Sequence, residues 1–144
     1  MILDAHNLFS DAQAVTAAAA SDNYYNMGLA GRKIGVGEPL FIVVQCDVAM
    51  TDGSSDSTLA VTLQQDDNTS FTSATDVQTI GTFAATSAIG TRIVAPINPG
   101  VVTEQYVRLY YTPANGNLST GSFTAFITHD IDAYNAFEAG FTIS

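Results

Sequence analysis

The sequence predicts an all-β protein: two packed antiparallel sheets, a sandwich or jelly roll of about eight strands. Three observations predict it. The residues that normally fill the solvent faces of helices are nearly missing, with one lysine, Lys33, and three glutamates, Glu38, Glu104 and Glu138. Apolar residues alternate along several runs, at the period of a strand and not of a helix. Between the runs lie clusters of Gly, Asn, Asp and Ser that suit tight turns.

The elements follow in order. Residues 12–19 form a first weak strand. Ala12, Ala14, Thr16 and Ala18 give a helix no long apolar stripe to bury, so this alanine-rich run reads as an edge strand. A second weak strand covers 24–29. The clearest strand covers 40–48, where Leu40, Ile42, Val44, Cys46 and Val48 share one face and Phe41 and Val43 stand on the other. Such a strand is central in its sheet and touches something on both sides. Leu59, Val61 and Leu63 alternate with Ala60, Thr62 and Gln64. Weaker strands cover 77–83 and 91–97. Segment 105–111 places Val107, Leu109 and Tyr111 on one face and Tyr106, Arg108 and Tyr110 on the other. Last, Phe123, Ala125 and Ile127 alternate with Thr124, Phe126 and Thr128. The turns fall at 51–55, 65–68, 98–100 and 115–117. Beyond the last strand, Ile131 to Ala139 is a candidate helical turn, with Asp130 or Asp132 to cap it and Gly140 to end it. The reading is one domain over 1–144, with an N-terminal arm at 1–11 and a C-terminal extension at 130–144.

Charge bounds the function. Fourteen acidic residues stand against four basic ones, for a net charge of −10. A chain so acidic is unsuited to gripping phosphate, so no nucleic-acid partner is expected. The charged fraction is 12%, about half the usual ~25%. The hydrophobic fraction of 47% is that of a folded protein. A neutral polar exterior of this kind suits burial against another protein. No run approaches the length of a membrane span, so no membrane partner is expected. The start, Met1 to His6, lacks the basic and apolar regions of a secretion signal, which predicts a protein made and kept in the cytosol until assembly.

No residues assemble into a convincing reactive centre, and the protein is expected not to be an enzyme and to hold no cofactor or metal. Cys46 is the only cysteine and alternates with apolar neighbours, so it reads as a small core residue. His129 and Asp130 are adjacent, and neighbouring residues of a strand point to opposite faces, which disfavours a triad. The loop from Asp52 to Asp56 has alternating oxygen groups but lacks the glycine and glutamate of a calcium loop. What remains is surface. Tyr106, Arg108 and Tyr110 share a face, and Phe126 is a candidate neighbour; Tyr and Arg are enriched at contact hot spots. Tyr134, Phe137 and Phe141 stand in the C-terminal extension and are expected to pack on the sandwich or on a neighbour.

Several stretches carry a likeness to a known family. They are 1–16, Gly35 to Leu40, Asp47 to Asp52, Thr79 to Phe83, Gly121 to Tyr134 and Gly140 to Ser144. In extent and order the chain resembles the small head-decoration, or cement, proteins of short-tailed bacteriophages, of the jelly-roll type found in a Bordetella phage. The resemblance implies a virion structural protein on the exterior of the head. Its partners would be the major capsid protein and further copies of itself, as a dimer or trimer. It implies no catalytic residues. The alternative is a carbohydrate- or receptor-binding sandwich module of a phage tail or fibre.

Overall fold

The computed structural model describes residues 5–28 and 37–129. A 3-10 turn at Ala5–Asn7 leads into nine strands. These are β1 (Leu8–Ala14), β2 (Ala19–Ala20), β3 (Tyr25–Asn26), β4 (Phe41–Thr51), β5 (Thr58–Asp66), β6 (Thr75–Phe83), β7 (Arg92–Pro96), β8 (Tyr106–Ala114) and β9 (Thr120–Thr128). One sheet has the order β1-β9-β4-β7; the other has β2-β8-β5-β6, with β3 also paired to β8. Every pairing is antiparallel. The all-β sandwich expected from alternation is therefore the fold. Residues 131–139, where a helical turn was expected, lie outside the described residues.

The core lies between the sheets and follows the alternation. Ile42, Val44 and Cys46 of β4 meet Leu59, Val61 and Leu63 of β5, and Val107, Leu109 and Tyr111 of β8 meet Phe123 and Ala125 of β9. The Phe123 ring lies 5.0 Å from Phe83 and 5.9 Å from Tyr111, centre to centre. Each fully buried side chain of this size contributes on the order of 1.5–3 kcal/mol. As expected, β4 is interior to its sheet, and Val43 on its second face is also buried.

Two expectations are corrected. Residues 12–19 are not one strand. The strand begins at Leu8, inside the expected arm, and bulges around Ala12, whose φ is 48°. After Ala14 the chain leaves the sheet, buries Val15 and joins the opposite sheet at Ala19. Small residues permit this close crossover. Val48 does not share the inner face of β4. Register shifts on either side of it turn it outward, 46% exposed, and Met50 takes the inner position.

The edges of the two sheets are partly covered by the chain itself. Along one side, Gln78 of β6 donates to the Pro96 carbonyl at 2.6 Å and accepts from the Asn98 N–H at 2.9 Å. Gly81 lets the two sheet edges close: a Cβ there would stand 2.7 Å from Cγ2 of Ile93. Along the other side, Ser10 of β1 and Tyr111 of β8 share a buried hydrogen bond of 2.8 Å. Gln13 donates to the Ala20 carbonyl at 2.7 Å.

Candidate docking face

The outer face of the β2-β8-β5-β6 sheet carries the most concentrated chemistry among the described residues. Strand alternation sends Val107, Leu109 and Tyr111 inward and leaves Tyr106, Arg108 and Tyr110 outside, half-buried. Cross-strand register places Asp66 beside Tyr106, Gln64 beside Arg108 and Thr62 beside Tyr110. Two further aromatics join them. Tyr24, 48% exposed, stands edge-on to Tyr106 at 5.6 Å and lies 5.9 Å from Phe71. The guanidinium carbon of Arg108 is 4.3 Å from the centre of the Phe71 ring and 5.5 Å from that of Tyr110. Arginine over an aromatic face is a favourable contact, worth about 0.5–1 kcal/mol where solvent reaches it.

Polar contacts fix the arginine. Gln64 accepts from Arg108 Nε at 3.0 Å. The amide of Gln64 in turn donates to Asp76 Oδ1 at 2.8 Å. A row of three strands thus presents Asp76, Gln64 and Arg108, with the amide as relay.

The Phe71 side of this face is built by a buried carboxylate. Asp66 ends β5 and is shielded by the loop that follows. Its oxygens accept from the Asn68 N–H at 3.1 Å, the Asn68 side-chain amide at 2.8 Å and the Ser73 N–H at 2.8 Å. Burial opposes its charge, but the Asn68 and Ser73 N–H groups outweigh that, and the carboxyl sits below its ordinary pKa. The loop so tied carries Phe71 at a φ of 50°, a left-handed conformation that costs a bulky residue energy. The loop from Asp52 is held in the same manner. Burial again opposes the Asp52 charge, while the Ser57 hydroxyl and the Asp56 and Ser54 N–H groups hold its carboxyl below the usual range.

Of the residues singled out in the sequence, Tyr106, Arg108 and Tyr110 are brought together. Phe126 is not with them. It lies on β9 in the other sheet, buried on the outer face across from Val43. Tyr134, Phe137 and Phe141 lie outside the described residues. The sequence reading missed Tyr24 and Phe71. A lone Phe within a run of Asp, Asn, Thr and Ser was the available signal for Phe71.

Elsewhere, a cleft of about 170 Å³ opens at one end of the sandwich, lined by Asn7, Tyr25, Met27, Leu40, Ile127, Thr128 and His129. His129 stands 3.9 Å from Glu38 at the surface. Cys46 is fully buried with its sulfur 3.1 Å from the Val48 carbonyl, and burial pushes its thiol pKa up, so it is a poor nucleophile.

A search of curated proteins finds no match. A family model does match: Bbp16, over residues 9–127, which takes in all but the first residue of β1 and the last of β9. The match spans both sheets and the aromatic face around Arg108 alike, and the chain belongs to the Bbp16 family.

Proposed function

We propose that this protein decorates the outside of an icosahedral phage head, as a dimer or trimer, and braces the shell against internal pressure. The observation that carries the reading is the family match over residues 9–127, whose name points to a Bordetella phage protein. The resemblance in sequence to head-decoration proteins supports the exterior location. The net charge of −10 favours the outer surface, because packed DNA inside the shell would repel it. The aromatic face around Arg108 supplies a contact surface of the composition found at hot spots. Adhesion, not catalysis, is the mode of action. Each copy need not bind tightly: in an oligomer the second contact is intramolecular, and avidity can rise by roughly 10²–10⁴.

The test is genome retention. Heads with and without the protein are heated, and DNA release is followed with a dye. Slower release with the protein is expected; equal rates overturn the reading. One observation favours a second reading. An exposed tyrosine, Tyr24, packed edge-on to Tyr106 also suits a sugar ring, so a tail or fibre module that binds carbohydrate is the alternative. A glycan array with specific signal and no head binding would replace the first reading with this one.

A further inference from the structure

Arg108 is held by several contacts, yet among the described residues no carboxylate is paired with it. Arg92 and Arg108 are the lysine and arginine side chains among the described residues. In a chain with fourteen acids, neither forms an ion pair with a carboxylate among those residues; the pair present there is His129 with Glu38. Asp76 is kept one side chain away because Gln64 stands between it and Arg108.

The geometry of that arrangement is selective. Gln64 takes the Nε hydrogen of Arg108. Phe71 packs on the guanidinium face at 4.3 Å and Tyr110 flanks it. What is left is the terminal pair of Nη groups, a planar fork that matches two carboxylate oxygens. The fork is already oriented, so little side-chain entropy is lost when a carboxylate arrives. Tyr24 extends the same aromatic cluster, packing against both Phe71 and Tyr106.

We propose that Arg108 is the anchor for a single Asp or Glu side chain on the protein surface against which this face docks, a reading that rests on the adhesive function above. The net charge of −10 selects for one isolated carboxylate among apolar neighbours, because a broadly acidic surface would be repelled. Phosphate-rich partners are disfavoured for the same reason.

Arg92 is a control built into the molecule. Its Nε donates to Gln45 at 3.0 Å, as Arg108 does to Gln64, but no aromatic ring covers it among the described residues. The first experiment follows the arginine Nε–H signals of the intact wild-type chain by NMR. Sodium acetate is titrated against sodium chloride at equal ionic strength. A saturable, acetate-specific shift at Arg108 and none at Arg92 is expected; equal responses at the two overturn the proposal. The second experiment measures binding to heads lacking the protein. Arg108→Gln and Arg108→Lys should each weaken it roughly tenfold or more, as loss of a hot-spot anchor does, while Arg92→Gln should leave it unchanged. Wild-type affinity in Arg108→Gln overturns the proposal. If the wild-type protein does not bind heads, the adhesive reading fails, and the acetate titration still decides the carboxylate site without any variant having to fold.

Discussion

The guanidinium carbon of Arg108 stands 4.3 Å from the centre of the Phe71 ring, and Asp66 ties down the loop that carries the ring. The carboxylate ties down Asn68 and Ser73 on either side of Phe71. The phenyl ring is 8% exposed despite its place in a polar loop.

Replacing the ring should therefore cost stability. Phe71→Ala removes most of one buried aromatic and the contact with Arg108, a loss of about 1–3 kcal/mol. Urea denaturation measures it. A loss well under 0.5 kcal/mol, about the scatter of ordinary surface substitutions, would mean that the ring does not organise this face.

Much of the fold was legible because strand alternation is a direct consequence of backbone geometry. Val107, Leu109 and Tyr111 could only be buried together, which left Tyr106, Arg108 and Tyr110 together outside. Features set by the register of distant segments were not legible. Val48 fits the inner face by count, but its pairing with Ser122 across a bulge turns it out. Phe126 was a candidate neighbour of Tyr106, Arg108 and Tyr110. Here β8 and β9 belong to different sheets, which alternation does not reveal. Phe71 was hidden because its position depends on hydrogen bonds to Asp66, not on any apolar period.

The closure of the sandwich between β6 and β7 depends on the absence of a side chain at Gly81. In Gly81→Ala the new Cβ meets Ile93 at 2.7 Å unless something shifts. Overpacking of this kind costs about 1–3 kcal/mol. Adding Ile93→Ala should recover part of the loss, since it removes the atoms that clash. A double-mutant cycle in denaturant reads the coupling. Additive losses from the two substitutions would show that the edges are not in contact through this pair.

Asp66 and Asp52 set the acid limb of stability. Both carboxyls are lowered in the folded state, so the unfolded chain binds their protons first. Their contribution is present above the ordinary carboxylate pKa of about 4 and is lost as pH falls through the lower folded values. Asp66→Asn cannot repeat this, because its amide would face the Ser73 N–H or present only one acceptor. The variant should be less stable at neutral pH and should lose less on going from pH 5 to about pH 2. Denaturant midpoints across that range are the measurement. Parallel curves for variant and wild type would place the acid sensitivity elsewhere.

The bond between Ser10 and Tyr111 should fail unequally when its two ends are cut. Ser10 Oγ donates to Gln13 Oε1 at 2.7 Å, so its one hydrogen is used and Tyr111 must be the donor across the sandwich. Ser10→Ala therefore strands a buried phenol, at about 1–3 kcal/mol, whereas Tyr111→Phe leaves Ser10 its bond to Gln13 and costs about 0.5–1.5 kcal/mol. Burial pushes the Tyr111 pKa up to about 12, with Asp22 and Asp47 adding to the rise; Ser10 opposes it by turning its hydroxyl to donate once the phenolate forms. A raised folded pKa means stability that is intact below the unfolded value near 10 and lost as pH rises through about 12. Tyr111→Phe should remove that alkaline loss, so the two proteins converge in stability above about pH 10. Thermal midpoints of wild type and both variants, taken at neutral and alkaline pH, test both statements. A Tyr111→Phe protein that is less stable than Ser10→Ala at neutral pH would reverse the donor assignment.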